Sequence, residues 1–148
     1  MDVFVGKSLI NRNGERFNAL DVLEGKLVYI LLFASSVCKG IEVLLNKLKE
    51  VYEEAFKHRC QFEIILIPSE KTAQDFDGFF RRLNGNWYAL PFEEQTKLQS
   101  HAEEIRWRFG ISHVPFVLVV KPDGTFISHD AIEELNTLGI NVVVAWSD

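Results

Sequence analysis

Two apolar runs, KLVYILLFA at 26–34 and FEIILIP at 62–68, constrain this chain more than anything else in it. Each is too short and too rich in β-branched or aromatic side chains to be a lone helix, so each reads as a buried central strand. Between them Ile41, Leu44, Leu45, Leu48, Val51, Tyr52, Ala55 and Phe56 recur at helical spacing. They predict one apolar stripe on a long helix ending near His58.

The flanking segments fit around this frame. LINRNGERFNAL reads as a hairpin about Asn13-Gly14, since glycine accepts the positive φ of such turns. Asn18 can cap a short helix over Ala19 to Glu24, stopped by Gly25. Ala73, Phe76, Phe79, Phe80 and Leu83 line a further helix with Gly85 as its stop. Leu98, Ala102, Ile105 and Phe109 line another, closed by Gly110. FVLVVKPDGTFISH is strand, Pro-Asp-Gly turn and strand, hence an antiparallel hairpin. A last helix is predicted over Asp130 to Leu138. Strands alternating with helices, followed by a hairpin, imply one α/β domain over 1–148: a sandwich built on a mixed sheet.

Composition narrows the function. Net charge is −5, from 16 Lys and Arg against 21 Asp and Glu. Without a basic cluster to meet phosphates, nucleic acid is not the expected partner. No apolar run reaches the ~18 residues of a membrane span, and the start, MDVFVGKSLI, lacks the pattern of a secretory signal. Two cysteines form no disulfide framework, so the expected setting is reducing, cytoplasmic or nuclear. The four histidines and two cysteines are scattered, with none at zinc spacing, and neither a phosphate loop nor a dinucleotide fingerprint occurs. Neither metal nor cofactor is expected, and the chain is expected to be a monomer. Trp107, between Arg106 and Arg108, is expected to pack partly buried.

The chemistry concentrates in FASSVCKG, residues 33–40. Cys38 falls where the first buried run meets the long helix. Unpaired amide N–H groups and the positive end of the helix dipole point there, and both favour a negatively charged sulfur. Lys39 adds a positive charge, and Ser35 or Ser36 can accept an amide hydrogen bond and fix the start of the helix. The plain alternative is a free cysteine filling core space. Pro115, in ISHVPFVLVV, opens a strand where its missing N–H is tolerated. It reads either as a simple strand-start proline or as a cis-proline facing the thiol. His113 stands two residues before it, as a candidate general acid or an exposed loop histidine.

The order of these parts resembles the thioredoxin-like proteins, and more narrowly their tryparedoxin and nucleoredoxin branch, including its short nucleoredoxin-like members. The similar stretches are LVYILLFASSVC, KLKEVYEEA, FEIILIPSE, DFDGFF, WYALPFEE, IRWRFGISHVPFVLVVKPDGTFISHDA and the closing AW. Trp87 to Phe92 carries the most distinctive match. The resemblance implies a three-layer α/β/α sandwich and thiol–disulfide exchange with protein partners. The branch's Trp-Cys-Pro-Pro-Cys pattern falls on Val37-Cys38-Lys39-Gly40-Ile41. Cys38 then takes the place of the attacking cysteine, Ile41 that of the resolving one and Val37 that of the tryptophan. Pro115 matches the cis-proline. A further segment, Ser-Trp-Asp-Glu in the branch, becomes Pro68-Ser69-Glu70-Lys71.

Ile41 also starts the apolar helical stripe, so a resolving cysteine there would face the core. Cys60 is no substitute. About 18 helical residues at ~1.5 Å each set it ~27 Å from Cys38, against the ~7 Å between Cα atoms that a disulfide tolerates. A lone thiol can attack a disulfide but needs an outside thiol, such as glutathione, to clear the adduct. Two functions remain open: a monothiol oxidoreductase acting through Cys38, or a redox-inactive interaction module using the groove beside Pro115.

Overall fold

The computed structural model describes residues 2–82, 86–92 and 101–147. Leu83, Gly85 and Leu98 lie outside them. The two apolar runs form adjacent parallel strands, β3 (Val28–Ala34) and β4 (Phe62–Pro68), and every residue of both is buried. They are the centre of a seven-stranded mixed sheet. With β1 (Ser8–Ile10), β2 (Arg16–Asn18), β5 (Tyr88–Ala89), β6 (Phe116–Val120) and β7 (Phe126–Ser128), the order is β2-β1-β5-β4-β3-β6-β7. The predicted hairpins are both present, as antiparallel pairs β1·β2 and β6·β7.

Side chains alternate across a strand, so β3 feeds two cores. Ile30, Leu32 and Ala34 face a layer made by α2 (Ile41–Lys57), α3 (Ala73–Arg82), α5 (Ala131–Leu138) and α6 (Val142–Ser147). Tyr29, Leu31 and Phe33 face the layer of α1 (Ala19–Leu23) and α4 (His101–Phe109). Together with 3₁₀ turns at Asp2–Phe4 and Gly139–Asn141, these elements make a three-layer α/β/α sandwich.

Helix limits follow local chemistry. Asn18 caps α1 by accepting the Leu20 N–H, and Gly25 follows the helix in the left-handed region. Asp130 caps α5 by accepting the Glu133 N–H. The sequence signals miss α6, because Gly139 reads as a stop and Val142-Val143-Val144 as strand formers. Burial of Val142, Val143 and Trp146 overrides that local preference.

Two burial expectations fail. Phe56 is 83% exposed. Eight residues on from Leu48, at about 100° each, it stands ~80° off the centre of the stripe. Trp107 is 85% exposed, because two helical positions from the buried Ile105 turn it ~200°, to the far side of α4.

Candidate active site

Register brings three loops to one end of the sheet. Ala34, the last residue of β3, pairs with Pro68, the last of β4, while Phe33 pairs with Phe116, the first of β6. Segments 35–40, 69–72 and 111–115 therefore meet where the two parallel strands end. Ligand and catalytic groups of open α/β sheets gather at such strand ends.

Cys38 is half-buried in the first segment, packed against the core on the α2 side. It precedes α2 by three residues. Its backbone is held in a tight turn: the Cys38 N–H donates to the Ser35 carbonyl at 3.2 Å, and Ile41 N–H to the Cys38 carbonyl at 3.3 Å. The sulfur lies 3.5 Å from the donating Ser35 N–H and 3.6 Å from the Ser35 hydroxyl. Ser35 is itself buried, so both groups are fixed on the sulfur by the chain that follows β3.

The helix start differs from the expectation for Ser36. Gly40 occupies the N-cap position with φ 75°, in the left-handed region, and supplies no side-chain cap. Ser36 instead holds Glu70. Its N–H donates to Oε1 at 2.5 Å, and its hydroxyl donates to Oε2 at 3.1 Å. Glu70 is 4% exposed. The neighbouring backbone is fixed from α4, where the Arg106 guanidinium donates to the Pro68 carbonyl at 2.6 Å and to the Ser69 hydroxyl at 2.9 Å. Glu70 and Arg106 are supporting residues that sequence reasoning missed. Glu70 is signalled by its place in the matched Pro68-Ser69-Glu70-Lys71 segment, two positions after an apolar strand that ends level with β3, whereas no local pattern points to Arg106.

The remaining candidates are placed as follows. Lys39 is exposed, one residue from the sulfur in sequence. The Val114–Pro115 peptide is cis, and Pro115 leads into β6 beside the end of β3. His113 is exposed, and its ring meets Phe116 edge-on at 5.3 Å. Phe116 packs with the α1/α4 layer, whereas Cys38 packs with the α2 layer. The His113 ring thus contacts Phe116, which packs with the layer opposite the one that packs Cys38. Ile41 is 5% exposed and sits in the core under the helix start. Cys60, free like Cys38, follows the opposite end of α2.

A second buried carboxylate lies at the other end of the sheet. Glu63, the second residue of β4, is 2% exposed; it accepts the Tyr52 hydroxyl at 3.0 Å and lies 3.5 Å from Lys26 Nζ. Burial pushes its carboxyl above the ordinary range, against the opposing pull of Lys26. The same burial and the Glu63 charge raise the Tyr52 phenol. Among the described residues no group of His, Cys, Asp or Glu is placed to hold a metal ion.

Ser35, Cys38 and the cis Val114–Pro115 peptide all fall inside one family match. A profile described as Thioredoxin-like covers residues 25–126. The chain belongs to the thioredoxin-like family. Nucleoredoxin-like protein 1 of Homo sapiens is 25% identical over 158 residues, spanning 99% of this chain and 71% of that protein. Thioredoxin related protein 16 of Carcinoscorpius rotundicauda superposes with TM-score 0.78 at 26% identity, over 99% of this chain and 98% of the other. A tryparedoxin II solved with glutathionylspermidine superposes with TM-score 0.81 at 23% identity, over 99% and 97% of the two chains. The relatives it resembles are thus nucleoredoxin-like in sequence, and its fold is shared with tryparedoxins.

Proposed function

We propose that this protein is a nucleoredoxin-type oxidoreductase in which Cys38 works as the single protein thiol. The observation that carries the reading is the Ser35 N–H and hydroxyl gathered on the Cys38 sulfur while the resolving position, Ile41, is buried. In the first step the Cys38 thiolate attacks one sulfur of a protein disulfide. A Cys38–substrate disulfide forms, and the other substrate sulfur leaves as a thiolate. An outside thiolate, with glutathione as the chemical class, then attacks the Cys38 sulfur and releases the reduced substrate. A second glutathione attacks the glutathionyl sulfur and restores Cys38, leaving glutathione disulfide. Each oxidised substrate disulfide is thereby balanced by two glutathione thiols. The Ser35 groups stabilise negative charge whenever Cys38 leaves or attacks.

Glutathione as the outside thiol gains support from the glutathionylspermidine held by the tryparedoxin II neighbour. The reading carries a reducing setting, cytoplasmic or nuclear, and action as a monomer on protein thiols. The test is reaction of the full chain with glutathione disulfide, followed by mass mapping. A glutathionyl adduct on Cys38, reversed by reduced glutathione and absent from Cys38→Ser, is expected. Modification of Cys60 with Cys38 untouched refutes the reading. A redox-inactive binding module is the second reading, favoured by Val37, 87% exposed beside the thiol. It predicts partner binding indifferent to Cys38→Ser.

A further inference from the structure

The end of the sheet away from Cys38 carries a concavity that thiol chemistry leaves unused. It measures about 490 Å³ and is lined by Lys26, Tyr52, Phe56, Lys57, Arg59 and Cys60, among others. Its position is set by the strands. Val28 and Phe62 pair at the start of β3 and β4, and Ala34 and Pro68 at their ends. Seven residues at ~3.3 Å separate the two ends by about 20 Å.

Charge and shape at this surface run against the rest of the chain. Net charge is −5, yet the lining holds Lys26, Lys57 and Arg59 and no Asp or Glu. The Lys26 ammonium reaches the buried Glu63 through one contact of 3.5 Å and stays 28% exposed, so it has donors left for the cavity. Phe56 stands 83% exposed among these cations. Leu27, 63% exposed, adjoins the wall through its N–H to the Gln61 carbonyl.

Arg59 adds a local argument. It takes φ 58° where the chain leaves α2, and Cys60 N–H closes the turn on the Ala55 carbonyl at 2.8 Å. Glycine or asparagine serves that position without strain. The turn alone does not call for an arginine, whereas a cationic rim does.

We infer that this surface is a second docking site, taking an acidic peptide segment that carries an apolar side chain. The apolar side chain would cover Phe56 and enter the cavity. Its carboxylates would meet Lys26, Lys57 and Arg59. An occupant there leaves Cys38 open, so one partner can be held while its disulfide, or a second protein's, reaches the thiol.

The experiment uses the full chain and two fluorescein-labelled probes, the peptide Glu-Glu-Leu-Glu-Glu-Leu-Glu and the same peptide with Gln for every Glu. Expected is saturable binding of the acidic peptide that weakens with salt, at least about fivefold tighter than the Gln peptide. Amide shifts should centre on Phe56 to Gln61. The Lys57→Glu, Arg59→Glu double variant and Phe56→Ser should each weaken binding about fivefold or more, and Cys38→Ser should not. These side chains are exposed or rim the cavity, and circular dichroism checks folding. Arg59→Gly separates binding from stability: it should weaken the peptide while leaving the thermal midpoint equal or higher. Equal binding of the two peptides, indifference to the double variant, shifts centred on Val37 to Gly40, or concentration-dependent self-association through this face would each overturn the inference.

Discussion

Replacing Glu70 by Gln tests how the thiol loop is held. Both carboxylate oxygens serve Ser36, one accepting its N–H at 2.5 Å and the other its hydroxyl at 3.1 Å. The amide of Gln keeps one acceptor oxygen for the Ser36 N–H and places an NH2 against the hydroxyl, so one bond loses its charged acceptor and the other must reverse, with the hydroxyl accepting. A hydrogen bond to a charged acceptor contributes roughly 1.5–3 kcal/mol. Relief of a buried charge offsets part of that loss, which leaves a destabilisation of about 1–2 kcal/mol. For a chain of this size the thermal midpoint then falls by roughly 2–8 °C. Ser36→Ala removes only the hydroxyl bond and should cost ~1 kcal/mol. Urea titrations of the wild type, both single variants and the double variant form a cycle, run with the thiols kept reduced. The account predicts a coupling of about 0.5–1 kcal/mol between Ser36 and Glu70. It also predicts slower exchange of Cys38, but not of Cys60, with a small disulfide. Additive effects within ~0.3 kcal/mol, or an unchanged Cys38 rate, would refute the reasoning.

Further outcomes follow from single residues. Ile41→Cys should introduce an internal resolving thiol, so that the reduced protein reduces one disulfide per chain without glutathione and ends with position 41 disulfide-bonded to Cys38, at a cost of about 1–2 kcal/mol from lost burial; a single turnover that still requires glutathione contradicts the assigned register. Gly40→Ala meets no atom within 4 Å of the new Cβ but must keep φ 75°, so the helix start should lose ~1–2 kcal/mol, read as a lower urea midpoint. The folded-state carboxyl of Glu63 lies above its ordinary 4.5 through burial. Its contribution to stability is therefore present below about pH 4.5 and lost as pH rises through the raised value. Glu63→Gln should flatten that part of the profile, and urea midpoints of the two proteins that run parallel from pH 4 to 7 would contradict this.

Much of the frame is readable because its causes are local. The buried runs at 26–34 and 62–68, the Asn18 and Asp130 caps and the Pro-Asp-Gly turn each announce themselves within a few residues. The site is readable in part. Cys38 and Pro115 fall at element junctions, and Ile41 shows its inward direction through the helical stripe. Glu70 and Arg106 are not readable this way. Their roles come from β3 and β4 ending level with each other, which joins residues 34 positions apart in the Ser36–Glu70 bonds. Ser36 accordingly binds across the loops, while Gly40 begins the helix by its backbone alone. Phe56 and Trp107 mark the other limit. A helical stripe has edges, and an apolar side chain beyond the edge stays in water unless something else covers it. α6 shows the converse, since Val142, Val143 and Trp146 find a core that their own sequence does not advertise.

The most direct measurement is reduction of a glutathionylated or disulfide-linked protein substrate by the full chain, with reduced glutathione as the only electron source. Wild type and Cys60→Ser are predicted to turn over, and Cys38→Ser to be inactive. When reduced glutathione is withheld, a Cys38–glutathione disulfide should accumulate from the glutathionylated substrate, and a Cys38–substrate disulfide from the disulfide-linked one. Equal activity in Cys38→Ser, or no Cys38 adduct under any disulfide challenge, would contradict the account and leave the fold as a binding module.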